Sequence, residues 1–531
     1  MNELEGLPVR LPEPIAADSG GGSRIKRLTY RRATIGDWMS TPQELGERKD
    51  LGLSTLRAVG IVVFFVVAMV LQKILLDFVT SKGVGITGDE PTYIMQAQAL
   101  SHFSVHILST ITHDLSARVF GATYPPNATL ALVEHYDGPT GVISPFGPGL
   151  SALLTVSVAL LGPVTGSLAA IIALNTAGLM WLHQRVSRLV RLGGMAQAVL
   201  GVAFAIPAVL VAVNQIYPDL PAGILLAIGL VEISVIEWRG KASALSLLLI
   251  TASVAASPWL QPKNLVPAAV ILAAFLLVMV RRKFDLVPAA VVAGVSVLSV
   301  VLFLLYNQHF YGHILGLPEP MPKVSAAGLQ YTLGLLFDRH QGLFIQVPYA
   351  LVGLAGLIAF GRRRMPVAAV ATLLSFLAIL GLNGTYTGNP YGGYSLAGRF
   401  MWALIPMSLP WVGLVLARLK ERDKSLAPPL IVVVLIWLYQ AEPIFAGQHF
   451  YYNAFQVAHI VWPGWWWGLV GFLPQFGSNA NYFGNPVWSL PLELIFDATV
   501  IGVLLYWLRE PVRGSGSQSS ERRGRHSRAA N

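Results

Sequence analysis

The stretch NLVPAAVILAAFLLVMVRRKFDLVPAAVVAGVSVLSVVLFLLY, residues 264–306, decides the fold class. It holds two apolar runs, 264–280 and 287–306, that are separated by a short basic segment. An α-helix needs about 20 apolar residues to cross the hydrocarbon core of a bilayer. Because lipid offers no hydrogen bonds to the backbone, each run must form a helix to satisfy its own peptide groups. The stretch therefore predicts two membrane-spanning helices joined by a short basic loop.

The rest of the chain has the same character. Of its 531 residues, 54% are hydrophobic and only 12% are charged, whereas a soluble domain carries about 25% charged residues. Further apolar runs predict an all-α, polytopic transmembrane helix bundle of about 12 spans. These predicted spans lie near 56–78, 164–183, 195–213, 221–237, 243–257, 264–280, 287–306, 344–360, 366–383, 399–417, 427–441 and 494–508. The shorter apolar stretch 150–161 is predicted to lie in the interface or to enter the bilayer only halfway.

The basic residues predict the orientation. Lys and Arg are concentrated in the segments 184–194, 281–286 and 418–426 and in the two tails. Cytosolic loops carry this excess of positive charge, so both termini are predicted to be cytosolic, in a multi-pass protein of the plasma membrane. A net charge of +10 would suggest nucleic acid as the partner of a soluble protein. Here orientation in the lipid bilayer explains it, and we expect no nucleic-acid partner. The large outer loops are then 80–145, 307–343 and 442–493.

Composition divides the chain into four parts. Residues 1–55 and 509–531 are polar and basic, and they are predicted to be mostly disordered cytosolic tails. Residues 56–441 are predicted to form a transmembrane module that includes the first outer loop, 80–145. Residues 442–508 comprise an aromatic outer loop and the last span. The chain has no cysteine, which excludes disulfides, thiolate metal sites and cysteine nucleophiles.

The segment Gly88-Asp89-Glu90-Pro91, just after the first predicted span, is the most informative for chemistry. Gly and Pro flank the two acids, so the backbone is expected to turn there and to begin a helix in the interface. In one interpretation the acids only cap this helix and face the positive end of its dipole. Placing two acids at a lipid boundary costs free energy, and ionisable residues at such positions mark functional sites, so we favour a functional role.

Several further segments follow on the predicted outer side. In chain order they are FGPGL (146–150), QIYPDLP (215–221), LFDRHQGLF (336–344) and YGGYSLAGR (391–399). Together with Gly-Asp-Glu-Pro-x-Tyr after the first span, they resemble the GT-C class of membrane glycosyltransferases, such as protein O-mannosyltransferases and the aminoarabinose transferase of lipid A. The resemblance extends over about residues 56–417, and it implies that the transmembrane module 56–441 is a GT-C catalytic module.

The resemblance implies an inverting glycosyltransferase that moves a hexose or a pentose from a polyprenyl-phosphate-linked donor to an acceptor on the extracytoplasmic face. Asp89 would be the catalytic carboxylate and would act as general base toward the acceptor hydroxyl. Glu90 would help to orient the acceptor or a metal ion. The acceptor stays open between a protein, a lipid and a glycan of the cell envelope, and mannose and pentoses are the candidate sugars.

The leaving phosphate of such a donor needs cations, and basic residues are scarce on the predicted outer side. Arg339, Arg399 and Lys263 each lie beside the outer end of a predicted span. Arg can hold a phosphate through two hydrogen bonds, and Lys can act as a point charge. We therefore predict that these three residues bind the donor phosphate. The alternative is that they reach toward the interface or pair with nearby acids.

Other polar residues of the predicted outer side have weaker signals. The predicted supporting residues or metal ligands are Asp219, Asp114, Tyr217 and Tyr394. A divalent cation is the one cofactor left open, and the identity of the metal stays unknown. Asn383-Gly384-Thr385 matches the N-glycosylation sequon.

Two other functions fit the same span number. A transporter of about 12 spans should have charged or broken helices near the middle of the bilayer, and the predicted span interiors are nearly free of charge. A polysaccharide polymerase or ligase would also use a lipid-linked sugar, but its site would depend on the late loop 442–493. The cytosolic side has no Gly-rich phosphate loop and no Asp-x-Asp pair, which favours a lipid-linked donor over a nucleotide sugar.

Overall fold

Helices and short connections make up almost all of the described structure. The computed structural model describes residues 66, 70, 86, 88–120, 125, 129–130, 132–316, 326–338, 342–361, 365–385, 399–422, 424–445 and 489–509. All of them lie within one unit, Arg57–Asn531. The predicted tails, most of the first span and most of loop 442–493 lie outside the described residues.

The first part of the unit carries the segment predicted to hold the acids. It begins with α1 (Glu90–Ser101) and α2 (His113–Phe120), followed by the antiparallel hairpin of β1 (Tyr136–Gly138) and β2 (Gly141–Ile143). The next helices are α3 (Gly149–Leu161), α4 (Pro163–Leu189), α5 (Gly194–Phe204), α6 (Pro207–Asn214), α7 (Asp219–Arg239) and α8 (Ala244–Leu260).

The second part consists of apolar helices and two short turns. Its helices are α9 (Leu265–Arg281), α10 (Leu286–Tyr311), α11 (Ala326–Phe337), α12 (Leu343–Gln346), α13 (Tyr349–Gly356), α14 (Pro366–Thr385), α15 (Leu404–Glu421), α16 (Ala427–Phe445) and α17 (Ser489–Arg509). A π-helical turn, Leu357–Gly361, extends α13, and a 3₁₀ turn, Arg399–Met401, precedes α15.

Five described helices are long and apolar enough to cross a membrane. They are α4, α7, α9 with the turn before it, α10 and α14, and the bent pair α5–α6 makes a sixth if it is counted as one span. Each coincides with a predicted span, and shorter apolar helices cover the predictions 243–257, 344–360, 427–441 and 494–508. The prediction of an all-α, multi-pass membrane protein is confirmed. The number of about 12 spans stays a prediction, because the first span lies largely outside the described residues.

The short apolar stretch predicted at 150–161 is the helix α3. Its 13 residues extend about 20 Å at 1.5 Å per residue, which is less than the roughly 30 Å of the hydrocarbon core. Gly162 follows with a positive φ of 84° and leads directly into α4. Its length therefore agrees with the prediction of a helix that does not cross the bilayer, and its depth in the membrane stays a prediction.

The span predicted over 195–213 is broken into α5 and α6, which meet at an angle of 56°. Pro207 begins α6 and has no N–H to continue the helical ladder of α5. Side chains of α16 satisfy the backbone groups that the break leaves over: the indole of Trp437 donates to the carbonyl of Ala205, and Gln440 accepts from the N–H of Ala208. Such compensation is what a helix break in lipid requires.

Helix α7 is the most enclosed of the candidate spans. In its apolar stretch 89% is buried inside the protein, whereas only 22% of the corresponding stretch of α10 is buried. Besides Asp219 at its start, helix α7 carries two further buried acids, which are exceptions to the nearly charge-free span interiors that the sequence suggested. Glu232 forms an ion pair with Arg185 of α4. Glu237 accepts hydrogen bonds from the N–H groups of Val367 and Ala368 and so caps the N-terminus of α14.

Candidate active site

The acid segment forms the start of α1. Gly88 adopts the left-handed conformation at φ 62°, and Pro91 occupies the first turn of the helix. Asp89 is the N-cap by its backbone: its carbonyl accepts from Thr92 and Tyr93 at 3.1 and 3.2 Å. Its carboxylate makes no capping hydrogen bond. The interpretation of Asp89 as a plain side-chain cap is therefore wrong, and its carboxylate is available for other contacts.

Glu90 ties α1 to the segment that precedes α7. The residue is buried, with 5% of its surface exposed. Its Oε1 accepts a hydrogen bond of 2.9 Å from the backbone N–H of Ile216. This contact fixes the start of α1 against the QIYPDLP segment. The predicted role of Glu90 in orienting an acceptor or a metal ion stays a prediction.

Arg399 is the centre of the site, because it joins two segments that carry acids. Its Nη2 lies 2.6 Å from Oδ2 of Asp89, and its Nε donates to Oδ2 of Asp219 at 3.0 Å. The guanidinium carbon also lies 3.8 Å from the centre of the Tyr217 ring, a distance typical of a cation–π contact. Three of the sequence segments quoted above, those that contain Asp89, Asp219 and Arg399, thus meet at one guanidinium.

Lys263 extends this arrangement on the other side of Asp219. Its Nζ donates to Oδ1 of Asp219 at 2.8 Å and to Oδ1 of Asn383 at 2.9 Å. It also lies 4.7 Å from the centre of the Phe400 ring. We call the four charged residues Asp89, Asp219, Lys263 and Arg399 the charge network. Two carboxylates and two cations give this network a formal charge of zero, as the burial of charge requires.

Glycine allows the helices to approach closely enough to form the charge network. Gly223 lies one turn after Asp219 on α7, and Ala403 lies four residues after Arg399. A Cβ on Gly223 would overlap the backbone of Ala403. Any larger residue at position 223 would therefore push apart the two segments that carry Asp219 and Arg399.

The FGPGL segment packs against α1. The Phe146 ring stacks on Tyr93 with centroids 4.9 Å apart, and the hydroxyl of Ser151 donates to the Tyr93 carbonyl at 3.0 Å. A Cβ on Gly149 would lie 2.5 Å from the carbonyl oxygen of Trp259, so the segment needs glycine to pack on the end of α8. Burial, together with the charge of Asp89, raises the pKa of the Tyr93 hydroxyl well above its usual value.

Of the three predicted site residues not yet located, the structure describes only Asp114. Arg339 and Tyr394 lie outside the described residues. Asp114 pairs with Arg118 on α2 at 2.8 Å, and both side chains are more than half exposed, whereas no side chain of the charge network is more than 20% exposed. Among the described residues no group of three or more His, Asp or Glu is placed to hold a metal ion.

Sequence reasoning missed Asn383 as a site residue and noted only the sequon around it. The structure places it at the end of α14, 3% exposed, with its side chain between Lys263 and the Phe400 carbonyl. An enclosed asparagine at the end of an apolar helix is a polar group that needs partners. That signal was present in the sequence, but its partners lie more than 15 positions away along the chain.

The fold defines a multi-pass helical membrane protein with a largely buried charge network at one end of its helices. No family model and no curated protein matches the chain. Solved structures do match it. ArnT from Cupriavidus metallidurans in the apo state is 17% identical, with a TM-score of 0.47 over 86% of this chain and 73% of that chain.

Two further structures give similar results. ArnT from Cupriavidus metallidurans bound to undecaprenyl phosphate is 16% identical, with a TM-score of 0.41 over 85% of this chain and 73% of that chain. The archaeal oligosaccharyltransferase AglB from Archaeoglobus fulgidus, in complex with an inhibitory peptide and a dolichol-phosphate, is 14% identical, with a TM-score of 0.37 over 73% of this chain and 55% of that chain.

Proposed function

We propose that the chain is an inverting glycosyltransferase of the GT-C class that moves a sugar from a polyprenyl-phosphate-linked donor to an acceptor. The observation that carries this proposal is the ion pair between Asp89 and Arg399. It joins the acid predicted as general base to a cation predicted to hold phosphate. The sequence segments that resemble the GT-C class support the same reaction, because Asp89, Asp219 and Arg399 lie in three of them.

Access decides which carboxylate is the base. The side chain of Asp89 is 16% exposed and that of Lys263 is 20% exposed, whereas Asp219 is fully enclosed. A general base must come within hydrogen-bond distance of the hydroxyl that it deprotonates. Asp89 can meet an incoming acceptor, and Asp219 cannot without opening the network. We therefore assign Asp89 the role of base and Asp219 the role of holding the two cations.

The two cations are proposed to bind the donor phosphate. Arg399 and Lys263 can hold its oxygens through charge-assisted hydrogen bonds, which are stronger than neutral ones. The phosphate would take the place of the Asp89 carboxylate on Nη2 of Arg399. Donor binding would then release Asp89 from its ion pair beside the reacting sugar. Asp219 would keep its contacts with Lys263 and Arg399 and prevent the cations from separating.

The proposed transfer is a single displacement. Asp89 accepts the proton of the acceptor hydroxyl while the hydroxyl oxygen bonds to the anomeric carbon from the face opposite the phosphate. The bond between the anomeric carbon and the phosphate oxygen breaks, and its electron pair leaves with the polyprenyl phosphate. Arg399 and Lys263 stabilise the charge that develops on this leaving group. One displacement on one face inverts the anomeric centre.

The position of the basic loops supports an extracytoplasmic site. Helix α7 begins at the site with Asp219 and ends at Arg239, and α9 follows Lys263 and ends at Arg281. The charge network thus lies at the ends of these helices that are opposite their basic ends. Because basic loops are cytosolic, we propose that the site faces the extracytoplasmic side and that both termini are cytosolic.

The test is sugar transfer by the purified, full-length protein in detergent or nanodiscs. Polyprenyl phosphates that carry radiolabelled mannose or a radiolabelled pentose are offered with Ser/Thr peptide, lipid and glycan acceptors. We expect transfer from at least one donor, with a rate that falls by about 10²–10⁴-fold in Asp89→Asn, the range for loss of a general base.

The matched control is Asp137→Asn, the same chemical change at an exposed position on β1. Its rate should equal that of the wild-type protein. If no lipid-linked donor is used, or if Asp89→Asn transfers sugar as fast as Asp137→Asn, the proposed reaction is wrong.

One observation favours a transporter as the second candidate, namely the broken pair α5–α6, since broken helices line the binding sites of many transporters. In this chain, however, side chains of α16 already satisfy the backbone groups at the break. Uptake measured in proteoliposomes separates the two functions. If the chain is a transporter, the Asp89→Asn variant should lose uptake while its rate of sugar transfer is unchanged. If the chain is a polysaccharide polymerase or ligase, the sugar-transfer assay should instead show extension of a lipid-linked glycan chain.

A further inference from the structure

Asn383 occupies a bridging position next to the charge network. It lies at the C-terminal end of α14 and is 3% exposed. Its Oδ1 accepts from Nζ of Lys263 at 2.9 Å, and its Nδ2 donates to the carbonyl of Phe400 at 2.9 Å. Phe400 is the neighbour of Arg399 in the 3₁₀ turn Arg399–Met401. One amide therefore contacts both a cation of the network and the turn that carries the other cation.

The chemistry of its partners determines the orientation of this amide. The ammonium group of Lys263 can only donate hydrogen bonds, and the Phe400 carbonyl can only accept them. The oxygen of the Asn383 amide must therefore face Lys263, and its nitrogen must face Phe400. Neither Asp nor Leu can make both contacts, because Asp has no donor when ionised and Leu has neither group.

Helix α14 is held against α7 at both of its ends. At its N-terminus the carboxylate of Glu237 accepts from Val367 and Ala368. At its C-terminus Lys263 bridges Asn383 and Asp219, the first residue of α7. The position of Asn383 is therefore determined by the helix pair and does not depend on a loop.

We propose that Asn383 is a positioning residue for the donor phosphate, an inference that rests on the proposed function. Its neutral amide holds Lys263 without cancelling the positive charge, which a carboxylate in its place would do. The same amide holds the turn that carries Arg399 at a constant distance from Lys263. Two cations at a constant separation are prepared for the oxygens of one phosphate, and less freedom is lost when the phosphate binds. These buried contacts also exclude Asn383 as a glycosylation acceptor.

The test is a double-mutant cycle on phosphate binding. The probe is a short-chain polyprenyl phosphate, and its Kd for the full-length protein in detergent is measured by intrinsic tryptophan fluorescence or calorimetry. Asn383→Leu should raise the Kd about tenfold, a loss of about 1.4 kcal/mol. In the Lys263→Met background the same substitution should raise the Kd by less than about threefold, because the contact with Lys263 is already lost and only the bond to the Phe400 carbonyl remains to be removed. Equal effects in both backgrounds would overturn the proposal.

Two further variants separate positioning from folding. Thr372→Val removes a different buried polar group of α14, a hydroxyl that donates to the Ala368 carbonyl of the same helix, and the Kd should not change. Asn383→Asp keeps an acceptor for Lys263 but adds a negative charge, and it should weaken binding at least as much as Asn383→Leu. An Asn383→Asp protein with wild-type Kd contradicts the proposal. If the wild-type protein does not bind the probe, it is the proposed function that fails.

Discussion

The two ends of helix α7 both bury carboxylates beside cations, but the contacts differ in kind. At the basic end, Glu232 and Arg185 form a closed pair in which two nitrogens meet two oxygens, each at 2.6 Å. At the other end, Asp219 divides its oxygens between Lys263 and Arg399, and Arg399 continues to Asp89.

This difference shows what separates a structural pair from a candidate site. In the closed pair both carboxylate oxygens accept from Arg185 and Glu232 is fully enclosed, so a ligand could reach that carboxylate only by breaking the pair. In the charge network the carboxylate of Asp89 is 16% exposed, and the proposed function has it exchange Arg399 for the acceptor hydroxyl. Burial of charge alone would have marked both ends of α7, and each end has a partly exposed cation, Arg185 at 22% and Lys263 at 20%. A chain of more than two charges and a partly exposed carboxylate mark only one end.

The largest expected effect is at Arg399. Arg399→Gln should lower kcat/KM for the lipid-linked donor by about 10³-fold, because it removes a preorganised donor of charge stabilisation. Arg399→Lys keeps the charge but cannot contact Asp89 and Asp219 with separate nitrogens in the same plane, and it should recover only part of the rate. Initial rates at several donor concentrations give kcat/KM for both variants. A rate in Arg399→Gln close to the wild-type rate would remove the distinction between the two ends of α7.

Arg185 should give the opposite result, with an effect on stability and little on rate. Arg185→Gln leaves Glu232 buried without its cation, which costs about 3–5 kcal/mol of unfolding free energy. The double variant Arg185→Met, Glu232→Leu should recover most of that loss, since a buried pair can be replaced by apolar residues at little cost. Unfolding in detergent and transfer per folded molecule are measured together. If Arg185→Gln stays stable but loses its rate, the closed pair belongs to the site.

A smaller effect is expected from the spacing between α7 and the turn that carries Arg399. Gly223→Ala places a methyl group on the backbone of Ala403, and overpacking of this kind costs about 1–3 kcal/mol. The donor KM should rise about tenfold as Asp219 and Arg399 move apart. Gly294→Ala on α10 is the control, because nothing lies within 4 Å of its added Cβ. Equal donor KM values for the two variants would show that the spacing has no part in binding.

Much of the fold could be predicted from the sequence, because lipid imposes a length and a composition on each span. The predicted span 366–383, for example, is the helix Pro366–Thr385. The break between α5 and α6 was not predicted, although Pro207 was visible, because the apolar run continues through it without a change in composition. Whether a proline breaks or only bends a helix depends on side chains that satisfy the freed backbone, and here these come from α16.

The site could be predicted only in part. Gly88 and Pro91 marked the turn that presents Asp89, and the scarcity of outer basic residues singled out Arg399 and Lys263. The contacts among them depend on tertiary packing, which no local pattern encodes. Asn383 shows this most clearly, since its local sequence matches only a sequon and its proposed role rests on contacts with residues 263 and 400.

The most direct test is a cryo-electron microscopy structure of the full-length protein with a short-chain polyprenyl phosphate bound. We expect the phosphate oxygens about 3 Å from the guanidinium of Arg399 and the ammonium of Lys263, and the Asp89 carboxylate released from Arg399 toward the open side of the site. A structure in which the phosphate binds elsewhere while Asp89 stays paired with Arg399 would contradict the account.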